Sequence, residues 1–251
     1  MNKAFKKLCR LAGECIVRYR LINEHDRILV GLSGGKDSLV MMHLLTYLQS
    51  VAPVDFTCIA ATFDPGFEGF GLDVIKRYAC EQKWEHHIVP MNVAEILKEK
   101  GFENSPCVLC SRLRRGKLYG LAKELKCNKL ALGQHIDDIA ASFLMSLCRG
   151  QGLTTMAPLV CSGNDEHPDV IRPMALVPEA LIKECADELQ LPQAGNCRYR
   201  ALLESGDRVF FGNIISEIAE KIPDLRSNIA RSLSHIEPEH LMLLPEDKHN
   251  G

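Results

Sequence analysis

Long apolar runs are missing from this sequence, and so is any large excess of charge of one sign. No apolar stretch among the 251 residues approaches the roughly 20 that a membrane-spanning helix needs. The opening Met-Asn-Lys-Ala-Phe-Lys-Lys-Leu lacks the apolar h-region of a signal peptide. A cytoplasmic address without a membrane partner is therefore expected. A formal net charge of −2 argues against a surface that coats nucleic acid along its whole extent. No internal repeat is visible. What is present is ordinary for a globular protein: 46% hydrophobic and 25% charged residues, at a length that suits one large α/β domain with or without a small appendage.

Two local features stand out from that average. Residues 3–20 carry Lys3, Lys6, Lys7, Arg10, Arg18 and Arg20 against Glu14 alone. Residues 112–129 carry Arg112, Arg114, Arg115, Lys117, Lys123, Lys126 and Lys129 against Glu124 alone. A confined polyanion-binding face and a pair of solvated helix surfaces fit this charge pattern equally well. The second feature is cysteine, of which there are 11. In a compartment where disulfides are disfavoured, some of these point to metal ligation or redox chemistry and the rest to buried apolar filling.

The stretch Arg27-Ile28-Leu29-Val30-Gly31-Leu32-Ser33-Gly34-Gly35-Lys36-Asp37-Ser38 reads as a strand running into a glycine turn. Leu39, Met42, Leu45 and Leu48 then recur at helical spacing. Paired glycines let the backbone approach a ligand closely, and the new helix aims its unpaired N–H groups and positive dipole end at whatever sits there, so the ligand should be an anion. The spacing departs from the Walker pattern, since Val30 stands at its first glycine and Asp37 follows the lysine where a hydroxyl is expected. Ser-Gly-Gly-x-Asp-Ser after a strand resembles the signature of the PP-loop ATP pyrophosphatases. That resemblance implies cleavage of ATP between its α and β phosphates, pyrophosphate held in the loop, and an AMP group that activates a carbonyl or carboxyl oxygen.

Taken in order, the chain predicts a helix to about Asn23, a strand over 28–30, the helix after Ser38, and a strand over 57–63. A helix over 72–82, a strand over 85–89 and a helix over 93–100 follow. Next come a helix to about Leu125, a strand over 129–132, a helix to Arg149 and a loop over 150–168. A last strand over 170–172 precedes helices over 178–189, 207–221 and 225–235. Strands alternating with helices predict an α/β fold with a doubly wound parallel sheet and ligands at the carboxyl ends of its strands. The division expected is a basic amphipathic helix over 1–25, a nucleotide domain over 26–190 and a C-terminal segment of helices over 191–251.

Candidate chemistry gathers on that rim. Asp64 ends the second strand before Pro65-Gly66, where a ligand role and a turn-forming role compete. Asp137 and Asp138 open a helix after Gly133; they suit its dipole and also suit Mg²⁺ held against pyrophosphate. Cys107-x-x-Cys110 at a helix start fits zinc, a redox dithiol or part of an iron–sulfur site, and Cys197 supplies a third sulfur later in the chain.

Several blocks then narrow the resemblance to the tRNA 2-thiocytidine synthetase family. They are Leu-Ser-Gly-Gly-Lys-Asp-Ser, Ala-Pro-Val-Asp-Phe, Cys-x-x-Cys-Ser-Arg-Leu-Arg-Arg-Gly, Ala-Leu-Gly-x-His-x-Asp-Asp and Val-Ile-Arg-Pro, in that order, with Cys197 after them. The resemblance implies an adenine nucleotide alpha hydrolase-like fold and a [4Fe–4S] cluster on Cys107, Cys110 and Cys197. It implies ATP bound by Leu32, Ser33, Gly34, Gly35, Lys36, Asp37, Ser38, Phe63, Gly133, Asp137 and Asp138, with Mg²⁺ on Asp37 and Asp138. Lys36, Asp37, Asp64 and Asp138 would carry catalysis, and Arg112, Arg114 and Arg115 would touch RNA or cap the cluster loop. Its implied partners are tRNA and a cysteine desulfurase or other sulfide source, with a homodimer compatible. Two positions depart from the family pattern: Gln134 stands where a histidine is usual, and Arg200 stands where a second late cysteine is usual. A persulfide enzyme without a cluster, and an ATP-dependent ligase or amidotransferase on a small acceptor, are the alternative readings of the same loop.

Overall fold

Phe5, Leu8, Ala12 and Cys15 repeat at helical spacing, and in the computed structural model they form the buried stripe of helix α1 (Lys3–Tyr19). The structure describes residues 2–67, 69–93, 95–96, 106–163, 167–194 and 206–242, with only the backbone given for 106–109 and 111. The helix stops short of the expected Asn23 because Arg20 turns left-handed at φ 51° and Leu21 N–H returns to the Ile16 carbonyl at 3.0 Å. That turn swings Leu21 and Ile22 into the core. The opposite side of α1 leaves Lys3, Lys6, Lys7, Arg10, Arg18 and Arg20 exposed.

The remaining elements follow the predicted alternation. They are β1 (Asp26–Gly31), α2 (Lys36–Val51), β2 (Phe56–Asp64), α3 (Leu72–Glu81), β3 (His86–Pro90), α4 (Pro106–Glu124), β4 (Lys129–Ala131), α5 (Ile136–Cys148), β5 (Leu159–Val160), β6 (Asp169–Ile171), α6 (Glu179–Glu188), α7 (Asp207–Lys221) and α8 (Leu225–Ser232), then a short 3-10 turn over Pro238–His240. Most of the helix expected over 93–100 lies outside the described residues.

The six strands run in the order β3-β2-β1-β4-β6-β5. All neighbouring pairs are parallel except β5 with β6, which is antiparallel with Leu159 opposite Ile171 and Val160 opposite Val170. The expectation of an unbroken loop over 150–168 is corrected here, while the doubly wound, mostly parallel sheet is as expected. A two-residue strand is too short to show periodicity, and it covers the free edge of β6, whose backbone would otherwise be an unpaired template.

Strand residues alternate between two cores, as a period of 2 requires. Ile28, Val30, Ala60, Ala131 and Ile171 pack into one, with α1, α2, α3 and α6. Leu29, Ile59, Ala61, Phe63, Leu130 and Val170 pack into the other, with Leu118 and Ala122 of α4. Helices therefore cover both faces of the sheet, as in a doubly wound fold. The strand order reverses direction between β1 and β4, so the crevice beyond the carboxyl ends of those two strands is the topological switch point where such sheets bind ligands.

Because α1 shares one core with α2 and β1, Leu8→Ala should lower the stability of the whole domain by about 2–5 kcal/mol. Denaturant melts followed at two wavelengths should shift together; loss of α1 signal ahead of the sheet would show that the helix is an independent appendage.

Candidate functional site

The glycine turn after β1 is braced by its own hydroxyls. Ser33 N–H donates to Ser38 Oγ at 3.1 Å, Gly35 N–H donates to Ser33 Oγ at 3.3 Å, and Ser38 Oγ donates to the Gly35 carbonyl at 2.9 Å. Ser38 is buried in this role, whereas Ser33 and Gly35 face solvent. Gly34 holds φ +81°, and a Cβ there would stand 2.7 Å from both Ala194 Cβ and Ile75 Cδ1, so glycine is required by backbone and by space. No side chain caps α2 at Gly35 among the described residues, which leaves the first N–H groups of that helix to an anion.

A second loop meets the first across the switch point. A Cβ on Gly133, after β4, would lie 3.3 Å from the Asp37 carbonyl carbon and oxygen. This contact brings the Gly133–Asp138 stretch against the start of α2 and joins two motifs that are about a hundred residues apart in sequence. Leu32 and Phe63 sit at strand ends with their side chains in the core, which leaves only their main chain to face the crevice. Asp64 Oδ1 accepts the Gly66 N–H at 2.9 Å and thereby shapes the turn after β2.

Charges alternate along the rim. Lys36 Nζ lies 2.9 Å from Asp37 Oδ1 and 2.9 Å from Glu179 Oε1. Burial lowers the Lys36 pKa, but the two carboxylates outweigh it and the net shift is upward, so the ammonium stays charged. Asp137 Oδ2 accepts the Glu179 N–H at 2.7 Å, and Arg226 Nε is ion-paired with Asp137 Oδ1. His135 is buried between the acidic pair, with Nδ1 3.5 Å from Asp137 and Nε2 3.4 Å from Asp138. Burial depresses the His135 pKa, yet the adjacent Asp137 carboxylate and the charges of Asp138 and Asp37 raise it overall. Asp138 Oδ2 also accepts the His135 N–H at 3.3 Å, closing the start of α5. Asp37 and Asp138, the oxygen donors expected for Mg²⁺, thus lie in the first turns of the two helices whose starts approach at Gly133.

The cysteines fall on the neighbouring helix. By backbone, Cys107 and Cys110 occupy the first turns of α4, three residues apart and so on one helix face. The Cys110 side chain is half-buried against the second core, and Arg114 Nη2 donates to its Sγ at 3.8 Å, a cation that suits a thiolate ligand. Arg112, Arg114 and Arg115 are exposed, and the charge of Arg115 is felt at Arg172. Cys197 and Arg200 lie outside the described residues; the described chain reaches Ala194, over Gly34, before them.

Two members of this rim, Glu179 and Arg226, went unread in the sequence, and Gln134 was read only as a departure. Glu179 looks like an ordinary acidic residue in the first turn of a helix, and Arg226 like a solvated charge near the end of the chain. Gln134 accepts from Arg172 Nε at 3.0 Å while Arg172 Nη1 donates to the Ala157 carbonyl at 2.6 Å, so the position that departs from the family pattern anchors a buried arginine. Only the Gln134 departure carried a signal.

Residues 3–193 match the family model described as a PP-loop domain. A tRNA-cytidine(32) 2-sulfurtransferase of Syntrophotalea carbinolica is 37% identical over 242 residues, covering 96% of this chain and 93% of that protein. The enzyme of the same name from Geobacter sulfurreducens is 36% identical over 244 residues, covering 96% of this chain and 94% of that protein. Among solved structures, the U34-tRNA thiolase NcsA from Methanococcus maripaludis with its [4Fe-4S] cluster matches at a TM-score of 0.75 and 28% identity, covering 93% of this chain and 81% of that one.

The Asp137 carboxyl supplies a pH test. Burial alone would raise its pKa, but the neighbouring His135 ring, the Glu179 N–H and the Arg226 charge hold it at about 2 against an ordinary 3.8. A depressed carboxylate contributes stability that is complete above the unfolded value and lost as pH falls through the folded one. That contribution is about 2 kcal/mol. Asp137→Asn should therefore be destabilised at pH 7, with its deficit against the parent shrinking between roughly pH 4 and pH 2. A pH-independent deficit in denaturant melts would contradict the ion-paired geometry.

Proposed function

The chain belongs to the PP-loop ATP pyrophosphatases and, within them, to the tRNA 2-thiocytidine synthetase family, and from that membership we propose that it replaces the C2 oxygen of a cytidine in tRNA, at position 32, with sulfur. ATP drives the exchange. The cytidine carbonyl oxygen attacks the α phosphorus, the bond from that phosphorus to the bridging oxygen breaks, and pyrophosphate leaves. A sulfur nucleophile then adds to C2, the C2–O bond breaks, and AMP departs with the oxygen.

The observation that carries this reading is the contact of Gly133 with the Asp37–Ser38 peptide, which unites the pyrophosphate loop and the Asp137–Asp138 loop at one switch point. Lys36 exchanges its partners Asp37 and Glu179 for the departing phosphates, and the helix start at Gly35 offers them N–H donors. Ser33 and Ser38 keep that loop in shape before the substrate arrives, so little reorganisation is needed when charge builds up. Asp37 and Asp138 would hold Mg²⁺, which neutralises pyrophosphate charge when bound. Cys107, Cys110 and Cys197 would hold a [4Fe–4S] cluster, whose iron supplies a site of high affinity for sulfur when it is in place. The half-buried Cys110 beside the Arg114 cation fits that assignment. Asp64 shapes the rim turn, and Leu32, Phe63 and Gly133 contribute close-packed backbone.

Arg112, Arg114 and Arg115, exposed on α4 beside the cysteines, are assigned to tRNA phosphates, and the basic face of α1 adds a second patch of the same sign. A cysteine desulfurase or another sulfide source delivers sulfur, and a homodimer in the cytoplasm is the assembly we assign. No described helix is long and apolar enough to cross a membrane.

Nucleoside mass spectrometry of tRNA from cells with and without the gene should show one thionucleoside, 2-thiocytidine, disappear. Complementation with Lys36→Ala, Cys107→Ala, Cys110→Ala or Cys197→Ala should fail to restore it. Anaerobically purified parent protein should show iron–sulfur absorption that only the cysteine variants lose. Restoration by a colourless protein would instead favour the persulfide reading, and an unchanged thionucleoside profile would remove tRNA as the substrate.

Replacing Arg112, Arg114 and Arg115 together by alanine should lower the slope of log affinity for tRNA against log salt by about 2–3, because each phosphate contact contributes roughly 0.7–0.9. Filter binding across a salt series measures it, and an unchanged slope would reassign these arginines to the cysteine loop alone.

A further inference from the structure

The match to the PP-loop domain ends at residue 193, yet a charged side chain from well beyond it reaches the nucleotide rim. Arg226 belongs to α8. Its Nε is enclosed and ion-paired with Asp137 Oδ1 at the start of α5, and its Nη2 donates to Ser216 Oγ of α7 at 3.2 Å. Both C-terminal helices pack along α5, and Arg149 at the end of α5 pairs with Asp207 at the start of α7 at 2.6 Å. The guanidinium therefore spans from the C-terminal helices to the nucleotide loop.

The contact does not end at Asp137. The other oxygen of that carboxylate holds the Glu179 N–H at 2.7 Å, and the Glu179 side chain holds Lys36 Nζ at 2.9 Å. A continuous chain of polar contacts thus runs from Arg226 through Asp137 and Glu179 to the lysine of the pyrophosphate loop. Without Arg226, the Asp137 charge would keep only the Glu179 N–H and the His135 ring beside it at a rim meant for phosphates, and the groups that orient Glu179 and Lys36 would be held at one end only.

We propose that Arg226 is a positioning residue of the nucleotide site, supplied by the C-terminal helices, which neutralises Asp137 and through Asp137 and Glu179 sets the placement of Lys36 for the pyrophosphate group. This rests on the assignment of ATP to the loop over 32–38. Other charges on the same rim are Asp37, His135 and Asp138, which Arg226 does not contact directly among the described residues. Arg231, one turn further along α8, is exposed and bonded to Asn228, and it provides a control on the same helix.

The test measures binding of an α,β-methylene ATP analogue with Mg²⁺ to the full chain by calorimetry, beside binding of tRNA by filter assay. Arg226→Gln should weaken the nucleotide roughly tenfold with tRNA affinity held, Arg226→Lys should recover most of the loss, and Arg231→Gln should change neither. In an Asp137→Asn background, Arg226→Gln should cost no further affinity, since the two act as one unit. If Arg226→Gln fails to fold, Arg226→Lys is read alone: a few-fold weakening that vanishes in the Asp137→Asn background supports the proposal, and no weakening overturns it. An unchanged analogue affinity in folded Arg226→Gln, or equal losses of nucleotide and tRNA binding in Arg226→Gln and Arg231→Gln alike, would overturn it while leaving the nucleotide site intact. Failure of the parent protein to bind the analogue would instead remove the ATP assignment, and the proposal with it.

Discussion

The close approach of two loops at the switch point is the constraint on which the rest of this molecule depends. The backbone after β4 passes so near the Asp37–Ser38 peptide that a methyl group on Gly133 would crowd it. Only a parallel sheet whose strand order reverses there leaves a crevice with two helix starts opening into it. One helix start presents bare N–H groups, and the other presents a pair of carboxylates around a buried histidine. Their juxtaposition brings unpaired N–H groups and a pair of carboxylates to the mouth of one crevice.

Around that contact, charge is used for placement more than for stability. Lys36, Asp37 and Glu179 are each about one-third exposed, and pairs of that kind add little to folding free energy. What they do is keep an ammonium charged and held along the rim between two carboxylates. The deeper Asp137 differs. With one oxygen on the Glu179 N–H and the other on Arg226, its burial is compensated from two sides, which is the condition under which a buried carboxylate is tolerated.

The alternation of helices and strands was legible because each strand has two cores to satisfy, and the resulting apolar runs such as 57–63 are unmistakable. The pyrophosphate loop was legible for a related reason: glycines, a lysine and hydroxyls at fixed spacing act locally, within a single turn. The two-residue strand β5 was not, since its pairing is decided by β6 and not by its own pattern. The helices end at Tyr19 and Ser232, a few residues before the apolar spacing predicts, the first because Leu21 and Ile22 continue that spacing while turning inward to the core.

The sequence by itself determined the family, the nucleotide loop, the doubly wound class and the cysteine pair on one helix turn, because each is written in residues close together along the chain. Only the tertiary structure decided that Glu179 and Arg226 belong to the same rim, that Gln134 anchors Arg172, and that Ser38 braces the loop from inside. Those partnerships join residues separated by dozens to more than a hundred positions, and a lone Glu, Arg or Gln on a helix carries no local mark of its partner. Electrostatic contacts act across space, so packing of the helices had to be known before their charges could be paired.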